Sequence, residues 1–158
     1  MGNYSVIKNF CTSNGPGVRT SIYLSGCNLH CQGCFNQEAW DFNAGKELTN
    51  DVINELIMSI EPSYIQGISI LGGEPLDPKN QESVLKIVEA VKGKYHNKDI
   101  WLWTGYTFEN VPKTEYLNKI LKYVDVIVDG PFMLEKQDVN LPYSGSSNQR
   151  VLHKGKDF

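Results

Sequence analysis

The sequence predicts an α/β fold in which parallel strands alternate with helices in a partial, open barrel. Along most of the 158 residues, short apolar runs of strand length alternate with stretches of helical periodicity. Polar and glycine-rich segments follow the predicted strands directly, at the ends where parallel α/β folds bind ligands. About four strand–helix units are too few to close an eight-fold barrel, which needs ~250 residues. We therefore expect a single domain, residues 1–158, with one open side.

The predicted elements begin with a short strand at residues 3–8 and a turn that contains Gly15-Pro16-Gly17. Residues 20–25 alternate polar and apolar side chains and form the first parallel strand, which leads into a cysteine-rich loop. Arg19, at its start, is either an anion-binding guanidinium or a solvated side chain. A first helix follows the cap candidates at residues 49–51 and ends at Pro62, because Ile53, Leu56, Ile57 and Ile60 recur at helical spacing.

Three further strands and two helices complete the predicted alternation. The strands are residues 66–71, 99–103 and 124–128, and they end in G-G-E-P, T-G-Y and D-G-P-F respectively. One helix spans about residues 80–94, and the other begins near Thr114. From residue 133 the periodicity is lost, which indicates either a mobile tail or a segment that closes the site or meets a partner through residues 146–150.

Composition and charge narrow the classes of function. The chain is 41% hydrophobic and 21% charged, as in soluble globular domains, and its formal net charge of -3 predicts no nucleic-acid partner. No apolar run approaches the ~20 residues that span a bilayer, so we predict a cytoplasmic protein with no membrane partner. Four cysteines, three of them clustered, fit a reducing compartment better than a disulfide framework.

The loop after the first parallel strand carries Cys27, Cys31 and Cys34 in a C-x3-C-x2-C pattern. Three thiolates this close together are predicted to bind one inorganic centre. Three ligands would leave one iron of a four-iron cluster open to a small molecule. Two other centres remain open at this point: a zinc knuckle completed by His30 or Cys11, and an electron-transfer cluster completed by Cys11. Cys11 is otherwise a small, half-buried thiol.

The G-G-E-P segment at residues 72–75 is the second motif that indicates ligand binding. Glycines at a strand end allow a sharp turn and bring backbone N–H and C=O groups against a ligand. Exposed carbonyls and the Glu74 carboxylate would accept hydrogen bonds from an ammonium group. The segment follows the cysteine motif by ~40 residues, at the end of the next parallel strand.

These motifs resemble those of the radical S-adenosylmethionine superfamily. Within that superfamily, G-P-G-V-R, C-x3-C-x-G-C-F-N, G-G-E-P, W-T-G-Y, D-G-P-F and S-S-N-Q-R, which together span residues 14–150, resemble the activating proteins of anaerobic (class III) ribonucleoside-triphosphate reductase. Activating enzymes of pyruvate formate-lyase are similar, but they carry a D-x-K sequence where this chain has Asp129 and Pro131.

The resemblance implies a glycyl-radical activating enzyme with an open (βα) barrel. Cys27, Cys31 and Cys34 would ligate a 4Fe-4S cluster, and S-adenosylmethionine would bind its open iron. Gly33 and Phe35 would flank the adenine, whereas Gly72, Gly73 and Glu74 would hold the methionine end. Thr104 and Asp129 are candidates for carboxylate and ribose contacts.

The resemblance also implies two protein partners. One is the reductase, whose glycine Cα would lose a hydrogen atom, and the other is a low-potential electron donor such as flavodoxin or ferredoxin. Two alternatives remain: an activating enzyme of another glycyl-radical enzyme, and a non-catalytic iron–sulfur or zinc module.

Overall fold

The computed structural model describes residues 1–34 and 37–158. The strands are β1 (Asn3–Cys11), β2 (Val18–Leu24), β3 (Lys46–Glu47), β4 (Ile65–Gly72), β5 (Asp99–Trp103), β6 (Val126–Asp129) and β7 (Arg150–His153). The helices are α1 (Asn50–Ser59), α2 (Pro78–Lys94) and α3 (Leu117–Tyr123), with short 3-10 turns at Gln37–Trp40, Phe108–Asn110 and Leu134–Lys136. Within the described residues, none of the helices has the length and apolar character needed to cross a membrane.

The strands form one mixed sheet in the order β3-β1-β2-β4-β5-β6-β7. The predicted parallel arrangement is confirmed for β2, β4, β5 and β6. The sheet differs from an all-parallel one at both edges, for which no strand direction was predicted: β1 pairs antiparallel with β2 and β3, and β7 pairs antiparallel with β6. The short turn between β1 and β2 explains the first difference, since a parallel connection needs a crossover of a dozen or more residues.

The two long helices begin where the sequence supplies caps. Thr49 Oγ1 accepts a hydrogen bond from the Val52 N–H at 3.3 Å and so begins α1. Asp77 caps α2 by accepting from the Lys79 N–H at 2.9 Å, and Pro78 occupies the first turn, where its missing N–H costs nothing. The cap of α2 lies three residues after Glu74, so the helix begins beside the G-G-E-P segment.

All three helices pack on the same face of the sheet. Aliphatic side chains from alternate positions of the parallel strands meet the apolar stripes of the helices there, including Ile22, Ile68, Ile70, Ile100, Leu102 and Ile127 from the strands and Leu56, Val84, Ile87, Val88 and Ile120 from the helices. We call this the helix face. The hydrophobic core therefore lies between one sheet surface and the helices.

The opposite surface, which we call the cleft face, carries polar and aromatic side chains. Arg19 is 0% exposed and lies at the amino end of the parallel strands, where its guanidinium is 2.6 Å from Asp99 Oδ1. It also donates to Ser69 Oγ at 2.8 Å and to the Ile68 carbonyl at 2.9 Å. Both sequence-based interpretations of Arg19 are therefore wrong: the side chain is neither solvated nor in an anion site, but is a buried cation that joins three strands.

The C-terminal segment is ordered and covers part of the cleft face. Residues 136–147, the C-terminal hairpin, are joined by a bridge between Gln137 and Ser146 and by the Ser147 N–H donating to the Lys136 carbonyl at 2.9 Å. Trp103 Nε1 donates to the Tyr143 carbonyl at 2.6 Å and so ties the hairpin to β5. Of the two interpretations of this segment, the mobile tail is wrong.

Candidate functional site

A cleft of about 470 Å³ opens at the carboxyl edge of the parallel strands, on the cleft face. Besides Ser13 and Asn14 of the turn between β1 and β2 and Tyr23 of β2, three parts of the chain line it: the cysteine loop (residues 25–34), the ends of the strands with the segments that follow them, and the C-terminal hairpin with Gln149. The lining includes Cys27, Leu29, Cys31 and Cys34 from the first part, Leu71, Gly72, Gly73, Glu74, Trp103, Thr104, Gly105, Gly130 and Phe132 from the second, and Leu141, Tyr143, Ser144, Gly145 and Gln149 from the third. The position is the one that the polar strand ends predict.

The cysteine loop leaves β2 through a glycine that the packing requires. Gly26 has φ 103°, and a Cβ there would lie 2.0 Å from the ring of Phe42. The Gly26 N–H donates to the Ala39 carbonyl at 2.6 Å, and the Cys27 N–H donates to the Trp40 carbonyl at 3.1 Å. The 3-10 turn that follows the loop therefore fixes the backbone at the first cysteine.

All three predicted cluster cysteines line the cleft, but they differ in burial. Cys27 is 8% exposed, whereas Cys31 and Cys34 are half-buried. Burial raises the pKa of the Cys27 thiol, and the nearby Glu74 and Cys31 raise it further. Cys27 therefore holds its proton more tightly than an exposed thiol, and a metal that binds it must displace that proton.

The G-G-E-P glycines allow β4 to approach the cysteine loop. A Cβ on Gly72 would lie 2.3 Å from the Leu24 nitrogen, and one on Gly73 would lie 2.4 Å from the Gly26 carbonyl oxygen. The Gly73 N–H donates to the Leu24 carbonyl at 2.8 Å, and the Glu74 N–H donates to the Gly26 carbonyl at 2.7 Å. These two amides therefore join the segment to the cysteine loop.

Glu74 lines the cleft and also braces it. Its carboxylate accepts hydrogen bonds from Thr104 Oγ1 at 2.7 Å, from the Gly105 N–H at 2.6 Å and from the Leu76 N–H at 2.8 Å. The side chain is fully buried, and this burial raises its pKa to about 7, although the three hydrogen bonds oppose the shift. Glu74 and Thr104, predicted separately from two motifs, are thus direct partners.

Two predicted site residues lie outside the cleft lining, and a third is not among the described residues. Gly33 and Asp129 are absent from the cleft lining among the described residues, and Phe35 lies outside those residues. A Cβ on Gly33 would lie 2.9 Å from Leu134 Cδ1. Asp129 is 1% exposed and accepts from Arg150 Nε at 3.0 Å and from the Phe108 N–H at 2.7 Å. Its carboxylate therefore holds a side chain from β7, and its contact with a ribose stays a prediction.

The S-S-N-Q-R and D-G-P-F motifs contact each other through residues that are 17, 19 and 21 positions apart in the chain. Arg150 forms an ion pair with Asp129 and a second, exposed pair with Glu109, and hydrogen bonds to Asp129 raise the pKa of the guanidinium. Gln149 Nε2 donates to the Gly130 carbonyl at 2.9 Å, and Asn148 Nδ2 donates to the Pro131 carbonyl at 2.8 Å. The sequence left the role of residues 146–150 undecided. In the structure they bind the end of β6 and the segment that follows it.

Asn80 is a site residue that the sequence reasoning missed. Its side chain lies behind the cleft at the first turn of α2, is 1% exposed and donates to backbone carbonyls of the cysteine loop and of Glu74. One feature of the sequence could have indicated it: Asn80 is a polar residue in the first turn of the helix that directly follows G-G-E-P, and its position does not belong to the apolar stripe of that helix.

The two side chains proposed as a fourth metal ligand have other partners. The His30 ring stacks on Trp40, with 4.1 Å between the ring centroids. Cys11 lies at the end of β1, where its Sγ is 3.5 Å from Ser13 Oγ and accepts from Asn14 Nδ2 at 3.5 Å. Among the described residues, neither side chain belongs to the lining of the cleft. Neither candidate for a fourth ligand therefore lines the described cleft, and the three-cysteine ligand set stays a prediction.

The arrangement of the three cysteines along one cleft suits an iron–sulfur cluster. Zn–S bonds of about 2.3 Å would draw three thiolates onto one point. In the part of the chain that the structure describes, no three Cys, His, Asp or Glu side chains converge in that way. A cluster instead binds each thiolate through a different iron, so its ligands need only line a common cavity, as Cys27, Cys31 and Cys34 do.

Comparison with known proteins identifies the family. Residues 13–152 match a protein family that is described as a 4Fe-4S single cluster domain. The chain is 42% identical over 153 residues to the anaerobic ribonucleoside-triphosphate reductase-activating protein of enterobacteria phage T4, covering 94% of this chain and 92% of the relative. It is 40% identical over 143 residues to the protein of that name from Vibrio cholerae serotype O1, covering 89% and 90%.

The same name belongs to a third relative, from Escherichia coli K12, which is 37% identical over 142 residues, covering 89% of this chain and 91% of the relative. These alignments extend over nearly the full length of each relative and include the cysteine loop and the G-G-E-P segment. The chain therefore belongs to the family of anaerobic ribonucleoside-triphosphate reductase-activating proteins, which carry a 4Fe-4S domain.

Proposed function

We propose that this protein is a radical S-adenosylmethionine enzyme that activates anaerobic ribonucleoside-triphosphate reductase by generating a glycyl radical on it. The observation that carries the proposal is the meeting of the C-x3-C-x2-C thiols and the G-G-E-P segment in one cleft. The two motifs lie about 40 residues apart, and each alone is compatible with a purely structural role. The names of the relatives support the choice of target.

The cleft offers separate positions for a cluster and for the methionine end of the cofactor. Cys27, Cys31 and Cys34 would hold the cluster, with one iron left for S-adenosylmethionine. The turn at Gly72 and Gly73, supported by Glu74 and Thr104, would receive the ammonium group. The expected adenine contacts of Gly33 and Phe35 and the ribose contact of Asp129 stay predictions.

Held by Cys27, Cys31 and Cys34, the cluster would pass one electron from a low-potential donor such as flavodoxin or ferredoxin to S-adenosylmethionine, for its reductive cleavage and the abstraction of a hydrogen atom from a glycine Cα. The products would be methionine, 5′-deoxyadenosine and a glycyl radical on the reductase. The protein's own residues would bind and orient the cofactor in the cleft. Excluding water from the open side of the cleft would fall to the docked partner.

An open parallel barrel of the superfamily type is the architecture that we propose for this function. The helices cover one face of β2, β4, β5 and β6, and the cleft lies on the other face at their carboxyl ends. A protein loop, unlike a small metabolite, must enter from an open side. The arrangement therefore suits a glycine presented by a large protein substrate.

The test is anaerobic reconstitution with iron and sulfide, followed by electron paramagnetic resonance of the reduced protein. We expect a cluster signal that changes when S-adenosylmethionine is added, and a glycyl doublet that appears only with the reductase. Replacing Cys27, Cys31 or Cys34 by Ala should abolish both signals. Cys11→Ala should leave both intact, because Cys11 lies outside the described cleft lining.

Each other outcome selects a different assignment. A glycyl doublet on pyruvate formate-lyase and not on the reductase would assign the chain to another activating enzyme. Loss of iron in Cys11→Ala would indicate a fourth protein ligand and thereby a non-catalytic cluster.

A further inference from the structure

We infer that Asn80 is a positioning residue that sets the distance between the cluster and the methionine end of the cofactor. The inference rests on the proposed function for the identity of the two ligands. The residue itself lies behind the cleft and touches neither. It acts through the backbone of the two segments that would bind them.

The Asn80 amide joins the cysteine loop to the G-G-E-P segment. Its Nδ2 donates to the Glu74 carbonyl at 2.9 Å and to the Ser25 carbonyl at 3.1 Å, with the Gly26 carbonyl at 3.4 Å. Ser25 and Gly26 immediately precede the first cluster cysteine, and Glu74 ends the proposed methionine site. A single buried NH2 group thus holds carbonyls from both segments.

The carbonyl groups would repel one another if the amide were absent. The Glu74 carbonyl also accepts from the Asp77 N–H at 3.2 Å and the Gly26 carbonyl from the Glu74 N–H at 2.7 Å, so loss of the amide removes one of two donors from these carbonyls and a donor from the Ser25 carbonyl. A buried carbonyl oxygen that loses a donor costs free energy, and the cheapest response is for the two segments to separate and admit water. A cofactor that chelates the open iron and also fills the ammonium site spans both segments. Its affinity therefore depends on a fixed distance between them, to within about half an ångström.

Gln81 provides a matched control on the same turn of α2. It is 0% exposed, and its Nε2 donates to the Leu76 and Pro112 carbonyls, both at 2.8 Å. Both residues are thus buried amides that donate to backbone carbonyls. They differ in the segments that they join, since Gln81 connects Leu76 to the segment before α3, whereas Asn80 connects Glu74 to the cysteine loop. Asn80→Asp and Gln81→Glu make the same chemical change, from an amide nitrogen to an oxygen.

The experiment compares these two variants with the wild type in two measurements. In the cluster-free protein, amide hydrogen exchange at Gly73 and Glu74 reports the contact between the two segments, because both amides donate across it. In the reconstituted protein, titration of the paramagnetic signal gives the dissociation constant of S-adenosylmethionine. We expect Asn80→Asp to speed exchange at these amides and to weaken S-adenosylmethionine binding, each about tenfold, with the iron content unchanged. Gln81→Glu should alter neither.

Three results would overturn the inference: wild-type exchange and affinity in Asn80→Asp, equal effects of the two variants, or loss of iron from Asn80→Asp alone. Should Asn80→Asp fail to fold, Asn80→Ser takes its place, because a serine keeps one donor. We expect Asn80→Ser to weaken S-adenosylmethionine binding by less than tenfold, whereas Gln81→Glu binds as tightly as the wild type. Wild-type affinity in Asn80→Ser would count against the inference. If even the wild type does not respond to S-adenosylmethionine, the proposed function fails, and the exchange measurement still decides whether Asn80 joins the segments.

Discussion

On one face of the sheet, three helices cover a layer of aliphatic side chains, whereas on the other face loop segments cover a layer of polar and aromatic ones. The helix face is held by burial of apolar surface, which is non-directional and tolerates small changes in position. The cleft face is held by directed contacts, among them Arg19 with Asp99, Glu74 with Thr104, and Asp129 with Arg150. The proposed chemistry lies on the directed face.

This difference follows from what each face must do. A packed aliphatic layer leaves no space for a ligand, because interiors pack as densely as organic crystals. Polar side chains that satisfy one another around a cleft keep the cavity open and fix its walls. The cost is that one broken contact leaves a buried group without a partner. Substitutions on the cleft face are therefore expected to cost more per atom removed than those on the helix face.

The largest expected loss of stability follows Arg150→Met. This variant removes the cation from Asp129, whose carboxylate is 1% exposed, and leaves a buried charge without its partner. We expect the free energy of unfolding to fall by about 3 kcal/mol, near the low end for a buried pair because the Arg150 side chain is 45% exposed. An anaerobic urea titration measures the loss.

Glu109→Gln is the control for that variant. It removes the exposed partner of the same guanidinium, with a side chain 64% exposed, and should change stability far less. Equal losses of stability in the two variants would show that the exposed pair of Arg150 with Glu109, and not its pair with the buried Asp129 carboxylate, holds β7 in place.

How far the sequence predicted the structure also follows the division between the two faces. The helix face was predictable, because strand and helical periodicities record which side chains are buried together; α1, α2 and the four parallel strands were found in that way. The cysteine and G-G-E-P motifs were predictable from spacing, and the structure brings them into one cleft. What was missed, namely β3, β7 and the C-terminal hairpin, has no periodicity.

The missed elements depend on partners far away in the chain. The ion pair between Arg150 and Asp129 positions β7. The hydrogen bond from Trp103 to the Tyr143 carbonyl, 40 residues away, positions the C-terminal hairpin. The sequence around a polar residue does not indicate which distant group that residue will bind. The same reason accounts for Arg19, whose partner Asp99 is 80 residues further along the chain.

The next prediction concerns pH and the buried carboxyl of Glu74. Its pKa rises from 4.5 to about 7 in the folded protein because burial disfavours the charged form. The folded state therefore binds more protons than the unfolded state between these two values, so stability falls as pH rises through that range and levels off above it. The shift corresponds to a loss of about 3 kcal/mol between about pH 4.5 and pH 7.

Glu74→Gln should remove that part of the pH dependence. The variant has its own constant cost, because one amide nitrogen replaces an oxygen that accepts hydrogen bonds. The informative quantity is therefore the difference in free energy of unfolding between about pH 5 and about pH 8, measured by urea titration for both proteins. If the wild type and Glu74→Gln lose the same amount over this range, the carboxyl is already ionised throughout, and its three donors outweigh burial.

The smallest expected effects compare neighbouring residues on opposite faces of β4. Ser69→Ala and Ile70→Val each remove one heavy atom from a side chain that is 0% exposed. Ser69 Oγ accepts from Arg19 Nε at 2.8 Å and donates to the Asn14 carbonyl at 2.6 Å, so its loss leaves a buried donor unpaired. We expect a cost of about 2 kcal/mol for Ser69→Ala. Ile70→Val should cost about 1 kcal/mol, as for one buried methylene.

The order of these two costs is the sharpest test of the difference between the faces, because strand, burial and number of atoms removed are all matched. Chemical denaturation of the two variants under identical conditions gives both values. A larger cost for Ile70→Val would mean that water replaces the Ser69 hydroxyl at little expense. The cleft face would then tolerate the loss of a directed contact, and packing against the helices would set the stability of both faces.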